Sequence, residues 1–165
     1  MPIADGLLPE FDHETTTTRK VLDRAPEDRF DWTPHPKSFS LGALASHVAN
    51  LPAWGADVLT TTEFDVAAEQ PPVAPTSKAA LLATFDDNVA ATRSALVGKT
   101  DEELQVMWSL TRGDTAIFSM PRAGVLRSFV LNHLIHHRGQ LSVYLRLLDV
   151  PVPSIYGPSA DEPSF

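Results

Sequence analysis

His133 and His137 lie four residues apart in a stretch, Asn132 to Leu141, that has helical periodicity. At that spacing two imidazoles project from one helix face, one turn apart. The rest of the face is apolar, with Leu126, Phe129 and Val130 before the histidines and Leu141, Tyr144 and Leu148 after them. An unpaired polar group in an apolar core costs about 1–3 kcal/mol, so each ring needs a partner. A bound metal would satisfy both at once. A third candidate, His47, sits in the apolar run from Leu41 to Leu59, which carries Leu44, Val48, Leu51 and Val58. At about 100° per residue, His47 projects roughly 60° from Leu44 and roughly 40° from Leu51, on the edge of the buried arc. Two histidines on one helix and one on another make a three-nitrogen set, which leaves positions open for water or substrate as in catalytic zinc sites. Two alternatives stand beside this reading. The rings could be hydrogen-bonded core histidines, and periodicity does not exclude His136, which is next to His137 and three residues from His133.

Other side chains add less. Asn50, three residues after His47, could face the site or lie on the helix surface, and Trp54, two turns after His47, could line a pocket or pack in the core. Arg138 could hold a substrate carboxylate; the commoner role is an ion pair between helices. Tyr144 reads as a packing residue, and His13 and His35 have no supporting constellation. No catalytic residue is assigned. The chain has no cysteine. This excludes disulfides, thiolate ligands and a cysteine nucleophile, so any thiol chemistry needs a thiol from outside. Zinc proteases place Glu directly after the first histidine, whereas Leu134 stands there here, so hydrolysis is less supported than thiol transfer. Because an unperturbed imidazole titrates at about 6.5, a three-histidine site should lose its metal below roughly pH 6.

The elements that must position these residues read as four amphipathic helices. The first spans about Leu7 to Arg24, with a stripe of Leu7, Phe11, Thr15, Thr18 and Leu22, and Ala25-Pro26 ends it. Thr15 to Thr18 have modest helix propensity, so tertiary packing must help to hold them. Phe30 to Pro36 is an ordered connection, and Ser38 or Ser40 caps the second helix. Thr62 to Thr76 is a linker containing Pro71, Pro72 and Pro75. Thr76 or Ser77 caps the third helix, whose stripe is Leu82, Phe85, Val89, Thr92 and Leu96, with Gly98 at its exit. Thr100 and Glu103 have capping-box spacing. Val106 to Leu110 and Thr115 to Phe118 flank a polar turn and read as a small β-hairpin, in which Arg112-Gly113-Asp114 is turn chemistry and not an adhesion motif. The last long helix runs from about Pro121 to Leu148, followed by a proline-broken tail. The expected fold class is all-α: a four-helix bundle with a small hairpin between the third and fourth long helices. Bundle cores commonly host metal sites built from facing helices.

Composition fits one soluble domain over residues 1–165, with 43% hydrophobic and 21% charged residues. A net charge of −8 without a basic cluster argues against nucleic-acid binding. No apolar run is long enough to span a bilayer, so no membrane association is expected. The first residues lack the pattern of a signal peptide, so a cytoplasmic location is expected.

The chain resembles the DinB family, the DinB/YfiT-like metal-binding four-helix bundles, which are unrelated to the polymerase of the same name. The resemblance rests on Phe30-Asp31-Trp32-Thr33-Pro34-His35-Pro36-Lys37-Ser38, on Leu41-Gly42 with His47, and on Trp54. It continues in His133-x-x-x-His137-Arg138-Gly139-Gln140-Leu141, in Tyr144-Leu145-Arg146, and in the ending Pro151 to Glu162. The resemblance implies that His47, His133 and His137 are the metal ligands, with nickel or zinc as the divalent ion. It also implies a homodimer and, as in mycothiol-dependent isomerases and bacillithiol S-transferases, a low-molecular-weight thiol as cosubstrate. The function it points to is a metal-dependent thiol S-transferase acting on a small-molecule substrate. The alternatives are a non-catalytic metal-binding or stress-response module and a metal-dependent hydrolase.

Overall fold

The computed structural model describes residues 1–68, 70 and 73–163. Pro71 and Pro72 of the expected linker lie outside the described residues. Helix α1 spans Ile3–Asp23 and begins one turn before the expected start, where the Ile3 N–H donates to the Asp101 carboxylate at 2.7 Å. Thr15, Thr17 and Thr18 are buried, and their hydroxyls donate back to the carbonyls of Phe11, His13 and Glu14. This internal pairing lets a run of poor helix formers face the core without leaving polar groups unpaired.

The expected second helix is two. Helix α2 spans Leu41–Asn50 and is capped by Ser40, whose side chain accepts from Ala43 N–H at 3.1 Å; α3 spans Ala53–Thr60. Pro52 separates them, because it has no N–H to continue the ladder and its ring crowds the preceding turn. The Pro52 carbonyl accepts from the buried Thr92 hydroxyl of helix α4, Lys78–Leu96. A Cβ on Gly55 would lie 2.4 Å from Thr92 Cγ2, so only glycine allows α3 and α4 this close. Gly42 plays the same part for the connection before α2: a Cβ there would lie 2.8 Å from Phe30 Cβ. That connection is held by Leu41 N–H to the Trp32 carbonyl and Gly42 N–H to the Phe30 carbonyl. Ser77 caps α4, which buries Leu81, Phe85, Thr92 and Leu96; Leu82 and Val89 of the expected stripe are half-buried at its margin.

Helix α5, Asp101–Leu104, has the expected capping box between Thr100 and Glu103. Strands β2, Met107–Arg112, and β3, Thr115–Pro121, form the expected antiparallel hairpin with a bulge at Leu110/Thr111. Strand β1, Glu63–Asp65, arises from the expected linker and pairs in parallel with β2. The all-α expectation is therefore corrected to a mostly helical fold with a three-stranded sheet, in the order β1-β2-β3. Gly113 has φ +56° and donates to the Asp65 side chain at 3.0 Å, so the Arg112-Gly113-Asp114 segment ties the hairpin turn to β1.

The last helical run begins after Pro121, which caps it from outside. It comprises α6, Arg122–Val125, a π-helical stretch, Leu126–Leu131, and α7, Asn132–Leu147. Helices α1, α4, α2 and α7 pack in a closed cycle, each on the next. The expectation of four long helices is thus corrected in count, because the second breaks at Pro52 and the fourth changes its winding before Asn132. Two apolar clusters fill the interior. One lies among α1, α2, α4 and α7, and the other lies beneath the sheet and the π-helical stretch. No helix is long and apolar enough to cross a membrane, among the described residues.

Candidate metal centre

Helices α2 and α7 pack against each other and bring His47 opposite His133 and His137. One ligand-capable atom from each of the three lies within 4.8 Å of the others, and no fourth His, Asp or Glu among the described residues joins the group. The ring centroids are 5.2 Å apart for His47–His133, 4.5 Å for His47–His137 and 4.7 Å for His133–His137. The Nε2 atoms of His47 and His133 are 3.4 Å apart. Two nitrogens bound to one tetrahedral zinc at 2.0–2.1 Å are separated by about 3.4 Å, so the spacing fits a shared ion. As a direct imidazole–imidazole hydrogen bond it would be at the long limit. The donor set therefore suits a divalent transition metal, and three ligands leave part of its coordination sphere open.

The electrostatics suit ligation as well. His47 and His133 are half-buried, and burial pushes both imidazoles down to about 4, with the neighbouring histidines adding to the shift. For His133 the Phe129 carbonyl opposes the shift, although His133 Nδ1 itself is buried without a hydrogen bond of acceptable geometry. The pKa of His137 is also lowered, by burial first, while its hydrogen bond to Gln140 acts the other way. Neutral rings keep the lone pairs that ligation requires.

Local structure explains why these rings converge. The π-helical stretch widens its turn by about one residue and so resets the face that α7 presents. Phe129, within that stretch, packs on His133 with the rings tilted and their centroids 5.6 Å apart. His136 falls on the exposed side and lies outside the group; it contacts the Gln140 amide at 3.1 Å.

The other sequence candidates lie elsewhere. Asn50 donates to the Ser46 carbonyl of its own helix and lines a separate cavity with Ala74 and Thr84, so it is not beside the histidines. Trp54 packs on Phe64 and Phe129 and is one ring removed from His133. Arg138 is 1% exposed and pairs with the buried Glu14 at 2.7 Å; the Tyr156 hydroxyl donates to the same carboxylate and its ring lies under the guanidinium. Arg138 thus points away from the histidines into an interhelical ion pair. A cleft of about 440 Å³ opens on His137 between the connection before α2 and α7. Lys37, Phe39, Leu44, Gln140, Val143 and Tyr144 line it. The sequence assigned none of these to a pocket; Tyr144, expected to pack, donates to the Phe39 carbonyl and so fastens one wall to the other. Gln140 was legible in principle, since it follows His137 by three residues and must share its face.

Comparison with known proteins agrees with the fold. The DinB family model matches residues 3–164. An uncharacterized protein of Bacillus subtilis, YrdA, is 31% identical over 160 residues, 96% of this chain and 90% of that protein. The crystal structure of a DinB-like protein from Bacillus cereus superposes with a TM-score of 0.71 at 25% identity, covering 92% of this chain and 97% of that one. A second DinB-like structure, YjoA of Bacillus subtilis, also gives 0.71 at 18% identity over 91% and 96% of the two chains, a likeness of fold.

Proposed function

The chain belongs to the DinB family, and from that membership and the convergence of its imidazoles we propose that His47, His133 and His137 hold one divalent ion, zinc or nickel, in an enzyme that uses a low-molecular-weight thiol. The observation that carries the reading is the 3.4 Å approach of His47 Nε2 to His133 Nε2 within a group of ligand atoms no more than 4.8 Å apart. A divalent ion held there supplies the positive charge that makes a thiol a good nucleophile near neutral pH.

The chain's own residues support an S-transferase better than a hydrolase. It has no cysteine, so the sulfur comes from a cosubstrate. The cleft beside His137 has room for a small molecule, with Phe39, Leu44 and Val143 against its apolar part. Lys37 has no ion-pair partner among the described residues and offers an ammonium to an anionic group at the mouth. Among the described residues no Asp or Glu lines this cleft to serve as general base for water. We extend the proposal to a homodimer on the strength of the family membership.

Titration of the cobalt-substituted protein with mycothiol, bacillithiol and glutathione tests the thiol reading. Sulfur ligation is expected to add a thiolate-to-metal charge-transfer band. An unchanged cobalt spectrum with all three thiols at millimolar concentration would overturn it and favour a non-catalytic metal-binding module.

A further inference from the structure

Gln140 and His137 share one face of α7. Gln140 Oε1 lies 2.7 Å from His137 Nδ1, and Gln140 Nε2 lies 3.1 Å from His136 Nε2. A carboxamide oxygen only accepts, so Nδ1 of His137 carries the ring hydrogen in this arrangement. The lone pair then resides on Nε2. With the amide turned over, its NH₂ would face Nδ1, the hydrogen would move to Nε2, and the ligating position would be blocked. The amide hydrogen bond to His136 restrains the Gln140 side chain at its other end.

Neither of the other two rings has a side-chain acceptor on its far nitrogen. His133 Nδ1 is buried, with the Phe129 carbonyl nearby but no hydrogen bond of good geometry, and His47 makes its polar contact through Nε2 alone, among the described residues. His137 is also the ring that faces the cleft, where an unheld imidazole would be free to turn. We infer that Gln140 is a positioning residue of the centre: by accepting from His137 Nδ1–H it holds that ring in the tautomer and rotation that present Nε2 to a divalent metal ion. The inference rests on the metal-binding reading above for its purpose, but the tautomer it assigns is a property of the protein without metal. Ligating histidines are oriented in general by an acceptor on the far nitrogen, and loss of that acceptor costs about 10- to 100-fold in affinity.

Two substitutions separate positioning from bulk. Gln140→Leu removes the acceptor at similar volume, and Gln140→Glu keeps an oxygen in its place. Nitrogen-15 NMR of the metal-free, full-length protein near neutral pH reads the His137 tautomer. Competition with a chromophoric chelator reads zinc affinity. The wild-type protein and Gln140→Glu should both show His137 protonated at Nδ1 and bind zinc within about threefold of each other. Gln140→Leu should shift His137 to a tautomer mixture and weaken zinc binding by about 10- to 100-fold. An unshifted His137 signal in Gln140→Leu overturns the inference, as does unshifted zinc affinity. Failure of the wild-type protein to bind zinc overturns the metal-binding reading instead, and the tautomer comparison still decides what Gln140 does.

Discussion

At the scale of single residues, the centre depends on rings that resist protonation. An ordinary imidazole titrates at 6.5, whereas burial and mutual repulsion push His47 and His133 down to about 4. A proton competes with a metal only where it can bind the free site, so the onset of competition moves down with the pKa. The lowered pKa values move the expected loss of metal below the roughly pH 6 that unperturbed rings would give. Zinc affinity should stay nearly level from neutral pH to about 5 and fall steeply toward 4. Chelator competition at a series of pH values measures this. A decline that already begins near pH 7 would show that the rings titrate as exposed imidazoles do. Stability of the metal-free protein carries the same sign. Between about 4 and 6.5 the unfolded chain binds more protons at these rings than the folded one, so the contribution is full above 6.5 and shrinks as pH falls through that window.

At the scale of elements, close approach between helices sets what the sequence tolerates. Gly55→Ala would place its new Cβ 2.4 Å from Thr92 Cγ2, whose hydroxyl is held by the Pro52 carbonyl and cannot turn away without losing that bond. The expected cost is about 1–3 kcal/mol of stability, read from the midpoint of denaturant unfolding. Unfolding unchanged from wild type would mean that α3 and α4 separate freely. Helical periodicity made α1, α4 and the last helix legible; the caps were legible as Ser38 or Ser40, as Thr76 or Ser77, and as Thr100, of which Ser40, Ser77 and Thr100 are the ones used. The break at Pro52 was written in the sequence too, but continuous apolar spacing on both sides masked it. Two features left no local signal. Strand β1 has three residues, and its parallel partner lies more than forty positions away. The π-helical stretch changes the winding of an amphipathic run whose apolar spacing reads as ordinary α-helix.

Across the whole molecule, the histidines join parts of the chain that are distant in sequence. His47 and His133 are separated by 86 positions, so an ion bound by both ties α2 to α7. The histidine spacing was legible because His133 and His137 lie on one helix; their convergence with His47 required the packing of α2 on α7. Arg138 was legible as one arm of an ion pair between helices, but its partners Glu14 and Tyr156 were not, since the network joins the first helix, the last helix and the tail across up to 142 positions. It fixes the tail and the side of α7 that faces away from the metal ligands, so α7 is held from both sides once an ion is bound. A ligand that binds only the folded state stabilises it by about 2.7 kcal/mol at a free concentration 100 times its dissociation constant. For a chain of this length that corresponds to a rise in Tm of roughly 5–10 °C. Thermal unfolding with and without zinc should show the rise in the wild-type protein, and His47→Ala, His133→Ala and His137→Ala should each remove it. His136→Ala should keep it, because that ring lies outside the group. The comparison is between metal-free and metal-loaded samples of the same variant, so any intrinsic change in stability cancels. A full zinc-dependent rise in His133→Ala, or its loss in His136→Ala alone, would place the ion on a different set of rings.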